Sequence, residues 1–114
     1  MQKYKKERKE IARFMRRLYN RGLTTTSGGN ISLRVSDDTI LITPSATDKG
    51  RMKWKEVGIL SIIGENLTPD LKLSIESEMH LNIFKRNNEI LSIVHAHPVF
   101  ASSFTAMNAV INTS

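Results

Sequence analysis

The 114-residue sequence contains no cysteine, which excludes a disulfide scaffold, a thiolate metal site and a cysteine nucleophile together. Any metal ion held by this chain must therefore use nitrogen and oxygen donors. No apolar run approaches the roughly 18 residues of a membrane span, and the N-terminus lacks the apolar core of a secretory signal. A cytoplasmic location without membrane association is the expectation. Internal repeats and low-complexity linkers are also missing. Glycine is sparse, and the one adjacent pair, Gly28 and Gly29, is not followed by lysine at P-loop spacing and completes no GxGxxG fingerprint.

What remains is the composition of a soluble globular protein, with 39% hydrophobic and 25% charged residues. The length fits one domain, residues 1–114, with enough chain to bury a core without staples. Charge is uneven. Residues 1–21 carry nine basic side chains (Lys3, Lys5, Lys6, Arg8, Lys9, Arg13, Arg16, Arg17, Arg21) against Glu7 and Glu10, whereas the rest of the chain has eight basic residues against nine acids. Within residues 1–22, Ile11, Phe14, Met15, Leu18 and Tyr19 recur at helical spacing. Gly22 follows as a C-terminal cap, with arginines in the last turns, where the helix dipole favours cations. The basic face reads either as a nucleic-acid or anionic-membrane patch or as a solvated helix surface. With no aromatic residues interleaved to stack bases, the solvated surface is the expectation and nucleic acid is not an expected partner.

After a small-residue loop (23–30, LTTTSGGN), Ile31, Leu33 and Val35 alternate with polar residues as in a half-buried strand. Asp37 and Asp38 make a turn, and residues 39–43 return as the second strand of a hairpin. A loop (44–50), a helical turn (54–58) and a strand (59–63) come next. Ser74 predicts an N-cap for a helix with Ile75, Met79, Ile83 and Phe84 at apolar positions. Residues 90–95 form a short apolar strand, Pro98 opens a helix running toward Met107, and residues 109–114 begin another strand. The pattern predicts a mixed α/β domain with helices packed on a sheet, and the unclosed final strand predicts that it continues into a larger domain.

Three clusters can carry chemistry. In His95-Ala96-His97 the two imidazoles point to the same side of an extended segment, which suits a transition metal, although two structural histidines have the same spacing. Glu76 and His80, four apart, share a helix face. There Glu76 is a metal ligand or general base, or else a partner of the helix dipole, while His80 is a supporting or core residue. The third cluster is a set of short loops, Thr26 to Asn30, Thr43 to Ala46 and Ser74 at a helix start, whose glycines, hydroxyls and backbone donors can together cradle a phosphate.

In order and spacing, the stretches GLTTTSGGNISLRV (22–35), ILITPSATDKG (40–50), SIESEMH (74–80) and IVHAHP (93–98) resemble the class II aldolase/adducin family, and most of all its L-fuculose-1-phosphate aldolases. The resemblance covers nearly the whole chain but only the N-terminal portion of the family domain. It implies an α/β/α three-layer fold around a mixed, mostly antiparallel sheet, assembled as homotetramers with sites at subunit interfaces. It implies one zinc ion per subunit held by His95 and His97, approached by Glu76, which is also the catalytic acid/base. It further implies that Gly29, Asn30, Ser45, Ala46, Ser74 and Ile75 contact a sugar phosphate. The expected reaction is cleavage of a ketose 1-phosphate to dihydroxyacetone phosphate and an aldehyde, with the ion offsetting charge on oxygen. Epimerases and dehydratases of the family share these motifs, and adducin-like members are non-catalytic interaction domains. The chain departs from the family at Ala46, where glycine is common, and at Ile75, where serine is common. A third zinc histidine and an interface tyrosine belong to the family's C-terminal part, so a two-histidine site is expected to bind metal weakly.

Overall fold

A computed structural model describes residues 3–25, 28–44 and 48–96. The helix expected after Pro98 and the strand expected from Ala109 lie outside the described residues. Helix α1 (Lys5–Asn20) forms on the anticipated stripe, burying Ile11, Ala12 and Met15. Phe14 sits at the stripe's margin and is half exposed. The helix closes as a Schellman motif: the Leu23 N–H donates to the Leu18 carbonyl, the Gly22 N–H donates to that of Tyr19, and Gly22 takes a φ of +71° that favours glycine.

The basic face of α1 is less solvated than expected. Arg8 is buried, its Nε donating to the Val57 carbonyl at 2.9 Å and its Nη2 to Lys55 at 3.2 Å. Arg16 Nη1 donates to the Met52 carbonyl. These two arginines staple α1 to residues 52–57, because that segment offers carbonyls without strand partners. Two 3-10 turns, Lys49–Arg51 and Trp54–Glu56, shape it.

Strands β1 (Asn30–Ser36), β2 (Thr39–Ile42), β3 (Gly58–Ser61) and β4 (Ser92–His95) form one sheet in the order β3-β2-β1-β4. Every pairing among the described residues is antiparallel. Period-two alternation divides the core. Ile31, Leu41 and Ile59 meet α1, Met52 and Val57 on one face, while Ile40, Ile42 and Leu60 meet Leu81 and Phe84 of helix α2 (Ser77–Arg86) on the other. The sheet thus lies between two helices as an α/β/α arrangement. Strands β3 and β4 are shorter than expected, because Ile62 and Ile63 enter a turn and Leu91 is exposed before the pairing of β4 begins.

Two expectations are corrected by the packing of α2. The polar face of β1, read as solvated, lies under that helix, with Ser32 and Asn30 both buried. The helix itself begins after Glu76, not at Ser74. The Ser74 hydroxyl accepts from the Glu76 N–H at 3.1 Å and its carbonyl from the Ser77 N–H at 3.1 Å, so Ser74 heads the preceding turn. Of the predicted apolar positions Phe84 is buried, whereas Ile75 is 88% and Met79 37% exposed, and the face against the sheet is His80, Leu81 and Phe84. Arg34 of β1 donates Nη2 to the Phe84 carbonyl at 2.6 Å and to Asn87 at 3.3 Å, capping the C-terminal end of α2. Its guanidinium also lies 5.0 Å from the Phe84 ring centre.

Phe84 has no exposed surface, so Phe84→Ala is expected to lower the unfolding free energy by about 3–5 kcal/mol in urea denaturation. Half-exposed Phe14→Ala should cost about 1 kcal/mol or less.

Candidate metal and acid–base site

Several chain ends meet at one edge of the sheet. Because β1 runs antiparallel to both neighbours, its first residue, Asn30, lies beside the last residues of β2 and β4, and the register sets Asn30 opposite His95. Just past β2, the Thr43 N–H donates to the Ile31 carbonyl and its hydroxyl accepts from the Ile31 N–H at 3.1 Å. Pro44 then bridges to Leu73, drawing the turn before α2 to the same edge. Buried Lys49 braces this loop, its Nζ donating to the Pro44 carbonyl at 2.9 Å. Burial lowers its pKa, and the charge of Glu56 opposes the shift. Gly29 makes the approach of β1 to β4 possible. Its φ is +82°, and a Cβ there would fall 2.4 Å from Thr24 Oγ1 and 3.0 Å from the His95 carbonyl.

Glu76 holds the N-cap position of α2, yet its side chain makes no capping bond. Instead Oε1 accepts from Asn30 Nδ2 at 2.5 Å and lies 3.1 Å from His95 Nδ1. An ionised carboxylate only accepts, so the His95 Nδ1–H donates. The pair is partly open, with side-chain exposures of 17% for His95 and 31% for Glu76. One turn along α2, His80 is wholly buried. Its Nδ1 pairs with Ser32 Oγ and its Nε2 with Asn30 Oδ1, so both ring nitrogens are bonded. Burial pushes its pKa down to about 4; the Glu76 charge pulls it up by less, and His95 pushes it down further. This imidazole is neutral at physiological pH.

The structure therefore brings together Asn30, Glu76 and His95, with His80 behind them. Gly29 adjoins Asn30, Ser74 is buried in the turn before Glu76, and Ile75 is exposed beside it. The Asn30 side-chain amide bonds Glu76 and His80. His97, Ser45 and Ala46 lie outside the described residues. No group of three metal-binding side chains occurs among the described residues. The pair that is present joins one nitrogen and one oxygen donor through a hydrogen bond of 3.1 Å, and these are donor types that a zinc site uses. Sequence reasoning missed Ser32 and the bridging role of the Asn30 amide. The available signal was a run of polar residues, Asn30, Ser32 and Arg34, on one strand face, opposite a histidine at a core position of a helix.

Residues 9–113 match the model of the class II aldolase and adducin N-terminal domain, and the chain belongs to that family. It is 40% identical over 86 residues to the methylthioribulose-1-phosphate dehydratase of Granulibacter bethesdensis, covering 75% of this chain and 40% of that protein. To the 3-oxo-tetronate 4-phosphate decarboxylase of Haemophilus influenzae it is 33% identical, covering 82% and 44%. To the L-fuculose phosphate aldolase of Methanocaldococcus jannaschii it is 28% identical, covering 90% and 55%. The chain thus spans about half the length of these relatives. Among solved structures it superposes on YgbL of Escherichia coli with a TM-score of 0.81 at 27% identity, covering 89% of this chain and 48% of that one. An L-fuculose 1-phosphate aldolase gives 0.77 at 27% identity, covering 88% and 48%.

The neutral His80 makes stability depend on pH. Its pKa falls from 6.5 to about 4 on folding, so between these values the unfolded chain binds a proton that the folded chain excludes. Stability is full above pH 6.5 and declines as pH falls toward 4, by as much as about 3 kcal/mol. Urea denaturation of the metal-free protein at pH 7.5 and 4.5 should show a loss at least about 2 kcal/mol larger than in His80→Gln. Equal losses would refute the assignment.

Proposed function

We propose that this chain serves a divalent-metal-dependent lyase acting on ketose 1-phosphates, by aldol cleavage of a substrate such as L-fuculose 1-phosphate to dihydroxyacetone phosphate and an aldehyde. The observation that carries the reading is the Glu76 carboxylate held against His95 by Asn30, on the partly open edge where three loops converge. Relatives named for fuculose phosphate, 5-deoxy-ribulose 1-phosphate and methylthioribulose 1-phosphate support a phosphorylated ketose as substrate. Glu76 and His95, with His97, would hold zinc; when bound, the ion polarises the substrate carbonyl as a Lewis acid. Glu76 Oε1 would give or take a proton at the carbon beside that carbonyl. Ser74, Ile75, Gly29, Asn30, Ser45 and Ala46 would contact the substrate phosphate. The substrate site is completed in a homotetramer. The same proton transfer serves dehydration, and the 40% identity to a methylthioribulose-1-phosphate dehydratase makes that the second reading.

Calorimetric titration with zinc is expected to show weak binding of one ion per chain, lost in His95→Ala and His97→Ala. With L-fuculose 1-phosphate, dihydroxyacetone phosphate release should fall about 10²–10⁴-fold in Glu76→Gln. Release of water from methylthioribulose 1-phosphate without carbon–carbon cleavage would select the second reading. Folded protein that takes up no metal would defeat both.

A further inference from the structure

The geometry points to His80 as a positioning residue: through the Asn30 amide it fixes the direction in which the Glu76 carboxylate faces His95. The inference deepens the lyase reading of the same site and rests on it for its catalytic meaning. The chain of bonds has only one consistent direction. Glu76, as a carboxylate, can only accept, so Asn30 must present Nδ2 to it. That turns Oδ1 toward His80, whose Nε2 must then carry the proton. A neutral imidazole protonated at Nε2 has a lone pair at Nδ1, which the Ser32 hydroxyl fills as donor. Four side chains from β1, α2 and the turn before it are locked into one pattern of donors and acceptors.

The two ends of an asparagine amide have nearly the same shape, so packing alone does not orient it. Its two neighbours do, Glu76 accepting only from Nδ2 and the His80 N–H donating only to Oδ1. Without that N–H the amide is held from one side alone, and its hold on the Glu76 carboxylate beside His95 loosens. Ser32 completes the device from the sheet by selecting the tautomer. Its place on β1, two residues after Asn30, puts both groups on the face that α2 covers. His80 thus acts on the reacting groups at one remove. Hydrogen bonds of this kind behind metal-binding or acid–base groups commonly contribute 10–100-fold in metal affinity or activity.

Nitrogen-15 NMR of the metal-free protein tests this without relying on turnover. His80 should show a single neutral tautomer protonated at Nε2, and the Asn30 side-chain amide protons should exchange slowly with solvent. A tautomer protonated at Nδ1 would overturn the proposal in the unaltered protein. His80→Gln retains a side-chain N–H donor and should keep the Asn30 amide protected; His80→Leu removes it and should free the amide, with zinc affinity by calorimetry weakened at least about tenfold. In Ser32→Ala, His80 remains in place and should show mixed tautomers, which covers the case in which His80→Leu fails to fold. Unchanged amide protection and zinc affinity in a folded His80→Leu would refute the positioning role while leaving the lyase reading intact. Absence of zinc binding in the unaltered protein, with the tautomer and amide results as expected, would instead refute the lyase reading and uphold the ordered chain of bonds.

Discussion

A wholly buried imidazole destabilises a fold unless both of its nitrogens are bonded, and this requirement at His80 governs how the site is built. Ser32 satisfies one nitrogen from within the sheet and Asn30 the other from its edge. Meeting both conditions fixes the roll and height of α2 over β1. Arg34, which caps the carbonyls at the other end of the helix, secures the same docking from the opposite side. Glu76, at the N-cap position, then has no freedom to be elsewhere than beside His95.

The antiparallel sheet supplies the second half of the arrangement. Strands β2 and β4 both end where β1 begins, so Asn30 and His95 face each other across a register pair. Gly29 allows that closeness, since a side chain there would collide with Thr24 and the His95 carbonyl. Helix α1 works from the opposite face. Its buried arginines hold residues 52–57 against the sheet, and Lys49 braces the loop that leaves β2. Basic residues that suggest an electrostatic surface when counted along the chain are in part structural donors to carbonyls that no strand partner reaches.

Much of this was legible in the primary structure. The stripe through Ile11 and Met15, the cap at Gly22, the hairpin around Asp37 and Asp38, and the short apolar strand before His95 all follow from periodicity and turn chemistry, because those preferences are local. The start of α2 was not. Ile75 looked like the first apolar position of a helix, but Ser74 spends its hydroxyl and carbonyl on a turn, and the helix starts after Glu76. The face of β1 bearing Asn30, Ser32 and Arg34 looked solvated because its residues are polar. It is buried because α2 brings a matching polar group to it, and no rule of alternation can show a partner 48 residues away.

The sequence by itself determined the family, the sheet-and-helix order and the residue types at the site: four ordered motifs and two periodicities carry that information, and each is read over a short local stretch. Only the tertiary structure decided which atoms of those residues face one another. The separation of Glu76 from His95, the direction of the Asn30 amide and the neutrality of His80 depend on desolvation and on hydrogen-bond geometry between elements far apart in the chain. Burial strengthens each polar contact and penalises each unmet one, so these choices arise when α2 closes over β1 and excludes water from the face beneath it.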